Sequence, residues 1–152
     1  MAQPRMRKAW EASDTEICLS EQWPSDWCAK AVSIGLSAFT DMEDRELAVQ
    51  MISFPDVKTA AAAFKGEGTV DEVGKNSPGD EIDVFEIEKP DGSTAPAGRG
   101  INVRKGAVVA KIQYTWATGA SVEPGALISL TRMVVKRIEQ AQHGENPTAS
   151  VQ

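Results

Sequence analysis

The seventeen residues from Gly100 to Trp116 constrain the fold more than any other stretch. Val108, Ala110, Ile112, Tyr114 and Trp116 fall on one side of an extended chain, and Val109, Lys111, Gln113 and Thr115 fall on the other. Alternation with period two, carried by β-branched and aromatic residues, marks a strand with one face on a core. Arg104, Lys105 and Gly106 interrupt the run where a hairpin turn would sit, because glycine accepts positive φ at little cost. The stretch therefore predicts two paired strands.

The rest of the chain supplies partners for that hairpin. Ala29 to Thr40 reads as a strand, with Val32, Ile34, Leu36 and Ala38 alternating against Ser33, Gly35 and Ser37. A polar turn at Asp41–Asp44 leads to a second strand from Glu46 to Phe54. There Leu47, Val49 and Met51 take one face, and Ile52 and Phe54 the other. Asp56 is placed to cap a short helix that begins at Val57 and runs through the alanines to Phe64, with Gly66 as its stop. Its expected apolar stripe is Val57, Ala60, Ala61 and Phe64. Residues 66 to 79 hold four glycines and a proline and read as a loop, with a brief extended piece at Thr69–Val73. Their spacing matches no phosphate-binding motif.

Asp80 to Glu88 alternates acid with apolar residues, and the shift of phase at Val84–Phe85 suggests a bulge or a strand buried on both sides in its middle. Its carboxylates read as a solvated face or as a charge-guarded edge. Lys89 to Gly98 reads as a turn followed by a flexible loop. A last helix starts near Pro124 and presents Leu127, Leu130, Val134, Ile138 and Ala141, with Gly144 ending it. The expected fold class is α+β: a mainly antiparallel sheet of about five strands covered by two helices. A single domain over 1–152 is expected, with loose tails at about 1–9 and about 144–152.

Composition narrows the function. A net charge of −6 disfavours a nucleic-acid binder, since such proteins displace counterions from phosphates with a surplus of cations. Lys and Arg gather at 5–8, 99–105 and 132–137, where a solvated face is the ordinary reading. No run approaches the roughly 18 apolar residues of a membrane span, so no integral membrane segment is expected. The N-terminus is basic without an apolar stretch after it, so no signal peptide is visible, and two readings stay open: a cytoplasmic protein, or a secreted one whose leader is absent from this chain.

No catalytic signature stands out. His143 is the single histidine, and it sits at the expected frayed end of the last helix. Acid–base or nucleophilic chemistry needs a base beside its partner, and no calcium loop or zinc ligand set is present. No catalytic residue, metal or cofactor is therefore expected. Cys18 and Cys28 enclose nine residues. Two buried thiols and a disulfide are both open, and the even count in a loop-like stretch leans toward the bridge and an extracytoplasmic address. Four of the nine aromatic residues are tryptophan. Trp23 and Trp27 flank Pro24 inside the cysteine interval and, with Trp10 and Trp116, form the candidate binding set, because tryptophan is enriched at binding hot spots. The competing reading is that Trp10, Trp23 and Trp27 plug one end of the sheet.

Two fragments carry a resemblance. Val103-Arg-Lys-Gly-Ala-Val-Val-Ala110 before a final amphipathic helix, and Ser53-Phe-Pro-Asp56 leading into Ala60–Phe64, resemble actinobacterial secreted or lipid-anchored domains. The extracellular sensor domains of mycobacterial PknH-type kinases are the best-known group of that style. The resemblance implies an α+β domain outside the membrane that binds and does not catalyse. This chain differs in having one cysteine pair where those sensors carry two bridges, and Ala107 where Asn is common. The expected function is a non-catalytic extracytoplasmic binding domain of a secreted protein or lipoprotein, engaging a protein partner or a small ligand. The alternative is a dedicated protein-partner subunit: an inhibitor, an immunity protein or part of a secreted assembly.

Overall fold

The computed structural model describes residues 5–6, 10–11, 18–19, 23–40, 45–64, 77–88, 96–116 and 124–145. Within them the strands are β1 (Arg5–Met6), β2 (Trp10–Glu11), β3 (Ser33–Thr40), β4 (Glu46–Ser53), β5 (Glu81–Glu88), β6 (Pro96–Lys105) and β7 (Val108–Thr115). The helices are α1 (Ser25–Lys30), α2 (Val57–Ala63) and α3 (Pro124–Gln142). Five long strands form one antiparallel sheet in the order β3-β4-β7-β6-β5, and the two-residue β1 and β2 both pair with β3. The fold is α+β, as the periodicity predicts. The polar turn at 41–44, the loop and extended piece at 65–76, the turn at 89–95, the cap before Pro124 and the tail from 146 lie outside the described residues.

The central hairpin, β6–β7, turns at Gly106 with φ 59°. Asp80 and Arg104 clamp that turn. The Gly106 N–H donates to Asp80 Oδ2 at 2.8 Å, and Arg104 Nη1 donates to the Gly106 carbonyl at 3.0 Å. Arg104 Nε reaches Glu81 Oε2 at 2.6 Å, and Lys105 Nζ reaches Glu139 Oε1 on α3 at 3.0 Å. Much of the basic run at 99–105 is thus paired with the acidic strand beside it; Arg99 closes on Glu86 in the same way. A charge-guarded edge describes β5 better than a wholly solvated face.

Several boundaries differ from the sequence reading. Ala29 and Lys30 end α1 and do not begin a strand, since the six-residue α1 is too short to announce itself by periodicity. The register shift in β5 lies between Ile87 and Glu88, and Val84–Phe85 pair regularly with Ile101 and Gly100. Of the two readings of that phase shift, the strand half-buried on both sides is the one found: the Phe85 ring fills the space left by Gly100, where a Cβ would fall inside it. Residues 96–98, read as loop, already belong to β6. Arg5–Met6, read as part of a loose tail, hydrogen-bond to β3 as β1.

The sheet is covered on both faces, so the hairpin does not rest on a single core. Helix α3 lies over β6 and β7, where Leu127, Val134, Val135 and Ile138 meet Ile101, Val103, Ala110 and Ile112. Leu130 is half-buried and Ala141 exposed. The buried stripe instead includes Thr131, whose hydroxyl donates to the Leu127 carbonyl at 2.8 Å and so satisfies itself within the helix. On the opposite face α1 and α2 seal Ile34, Ile52 and Val109 with Trp23, Phe54, Ala60 and Phe64. Asp56 caps α2 through Thr59 N–H at 2.6 Å, as its position predicts. Val57 is exposed, because it points away from that core. With helices on two faces and three helices among the described residues, the architecture has one helix more than expected.

Candidate binding surfaces on the two faces

Cys18 and Cys28 form a disulfide, with Cα atoms 5.7 Å apart. Both residues are buried in the same core, Cys28 as the buried residue of α1. A six-residue helix is marginal on its own; the bridge anchors it and sets the two tryptophans of the interval. Trp23 and Trp27 stack with centroids 5.5 Å apart, and Trp27 meets Phe54 and Phe64 at 6.0 and 6.4 Å. Trp23 is 3% exposed and Trp27 half-buried. They form a wall, more than an exposed face.

The other two candidate tryptophans belong to β2 and to the position just after β7. The backbone of Trp10 pairs with Ile34, on the register row that continues through Ile52 and Val109. Trp116 is half-buried just beyond β7, five residues past Lys111 and roughly 16 Å along the strand at 3.3 Å per residue. Among the described side chains, Trp23 and Trp27 are brought together.

The tryptophan wall overlooks a polar row of the sheet. Asp83 on β5 is opposite Asn102 on β6, and Asn102 is opposite Lys111 on β7. Lys111 Nζ lies 4.4 Å from the centre of the Trp23 ring, a cation–π contact. Trp23, Pro24, Trp27, Phe64, Asp83, Asn102 and Lys111 enclose a cleft of about 250 Å³.

A larger concavity opens on the other face. Because α3 sits over β6 and β7, the β3–β4 half of that face is left beside it, and the groove between them has a volume of about 600 Å³. Its floor comes from cross-strand pairs: Ser33 with Ser53, Gly35 with Met51, and Ser37 with Val49. The small residues of β3 keep it open, and a Cβ built on Gly35 meets nothing within 4 Å. Ser33 and Ser53 hydroxyls hydrogen-bond each other at 2.5 Å. Met133, Val134, Ile138 and Arg137 form the helix side. Among the described lining residues Arg137 is the sole cation, and no carboxylate is present.

Sequence reasoning missed this groove. The signal was there in the Ser33, Gly35, Ser37 alternation, which exposes a strand face with almost no side-chain volume.

The remaining candidates place as follows. His143 is exposed just after α3, and no cluster of three or more metal-ligating side chains occurs among the described residues. No described helix is long and apolar enough to cross a membrane. Comparisons with protein-family models, curated proteins and solved structures return no match.

Proposed function

We propose that this chain is a non-catalytic, extracytoplasmic binding domain whose main site is the groove between α3 and the β3–β4 half of the sheet. The observation that carries this reading is the groove itself. At about 600 Å³ it falls within the range of small-molecule sites, which are concave, mostly apolar and provided with few polar groups. Its ligand is a small amphiphile with an apolar body and an anionic end. Met51, Val49, Met133 and Ile138 supply the apolar contact. Arg137 supplies the positive end, in a chain whose net charge of −6 would otherwise repel an anion.

The extracytoplasmic address rests on the disulfide, since structural bridges persist in oxidising compartments. The resemblance to secreted actinobacterial domains points the same way. Titration with dodecanoate below its micelle concentration, followed by calorimetry, tests the reading. Saturable one-to-one binding that weakens about tenfold in Arg137→Gln, near 1.4 kcal/mol, is the expected result. Absence of saturable binding, or binding indifferent to Arg137, would refute the assignment of ligand and site.

A further inference from the structure

The cleft under the tryptophan wall lies on the face of the sheet opposite the groove. Two features of its lining are not explained by the fold. Trp23 Nε1, a donor, and Asn102 Oδ1, an acceptor, are both buried and have no hydrogen-bond partner among the described residues. Such groups cost stability, and buried polar atoms in native proteins are seldom left unpaired. Here both belong to residues that line the same cleft. Asn102 also stands in a strand between Ile101 and Val103, where a β-branched residue would serve the sheet better.

The chemistry of the cleft selects a ligand class. Asp83, Asn102 and Lys111 come from three adjacent strands in direct register. With strands about 4.8 Å apart, they span roughly 10 Å in the order acceptor, donor-and-acceptor, donor. Facing this row are the rings of Trp27 and Phe64. A row of mixed donors and acceptors opposite an aromatic wall suits a molecule with hydroxyls along its edge and C–H groups on its face. A purely apolar ligand would leave the row unpaired, and a simple anion would meet Asp83. We infer that this cleft binds a neutral saccharide ring, its hydroxyls on Asp83, Asn102 and Lys111 and its C–H face against the tryptophan wall.

The test uses the whole chain and four neutral monosaccharides (glucose, galactose, mannose and N-acetylglucosamine) as probes. The indole N–H resonances of Trp23 and Trp27 are followed by NMR. At least one sugar should shift them saturably, with a half-point on the order of 1 mM, in the weak regime expected of so small a ligand. Asn102→Val should abolish that response while leaving the unfolding midpoint unchanged or raised, because it removes an unpartnered polar group from a strand. Asp83→Asn, a conservative change on the outer strand, should weaken binding about tenfold and gives a second reading if Asn102→Val folds poorly. Indole resonances unmoved by all four sugars would overturn the inference. So would a response that survives in both variants.

Discussion

Replacing Gly35 by valine should make the protein more stable and close the groove proposed as its main site. Gly35 lies inside β3, opposite Met51, and its Cβ position is open. It is not among the positive-φ glycines of the described residues, which are Gly79, Gly106 and Gly144. A side chain there meets neither a clash nor a strained backbone. Removing glycine's excess freedom in the unfolded chain is worth about 0.4–1 kcal/mol. A β-branched residue adds a share of the ~1 kcal/mol range of strand preference. The sum is about 1–1.5 kcal/mol, which for a chain of this size raises the melting temperature by roughly 2–6 °C. Urea unfolding followed by tryptophan fluorescence measures it, and the m-value should not change, because the same surface is exposed on unfolding. Dodecanoate binding should be lost in the same variant, since the valine methyls project into the groove floor. A destabilised variant would refute the packing argument. A stabilised variant with undiminished binding would refute the location of the site.

Three further outcomes test the account elsewhere. Reducing the Cys18–Cys28 bridge releases a loop with a sequence separation of 10; loop entropy sets the loss at about 3 kcal/mol, or a fall of roughly 6–12 °C in melting temperature. A scan with and without dithiothreitol reads it, and an unchanged midpoint would contradict a structural bridge. Gly100→Ala drives a methyl into the Phe85 ring and should cost about 1–3 kcal/mol in urea unfolding, with part of the loss relieved by Phe85→Ala in the same chain. Asp80 is held below the usual carboxylate range, first by the Gly106 N–H and then by the Lys105 and Arg104 cations, against a partial opposing effect of desolvation. A depressed folded pKa gives stability that is full above the unfolded value, near pH 4, and is lost as pH falls through the lower folded value. Asp80→Asn should therefore flatten the acid limb of the stability curve below about pH 4, and an acid limb identical to the parent would contradict this role.

The elements legible in the sequence are those whose signals are local. The β6–β7 hairpin, the α2 cap at Asp56 and the start of α3 at Pro124 each rest on a few neighbouring residues. Helix α1 was hidden because Ser25–Lys30 has less than two turns in which to show a period. The second covered face was hidden because Val109 looks like a solvent-side residue until α1 and α2 are folded onto it. The Asp83, Asn102 and Lys111 row depends on the register of three strands, and no spacing along the chain encodes that register. Of the four tryptophans, the sequence singled out the pair that the disulfide brings together, but it could not show that they form the wall of a cleft. The groove arises from where α3 settles, over β6 and β7 and not over β3 and β4, a choice made by long-range packing of Leu127, Val134 and Ile138.

Met51 and Met133 lie on opposite sides of that groove, one on the sheet and one on the helix, so their methyl groups report on its interior directly. With ¹³C-methyl methionine in the protein, titration with dodecanoate should shift both resonances along one saturable curve. Methyl resonances that stay fixed through the titration would contradict the claim that this groove is where the protein binds.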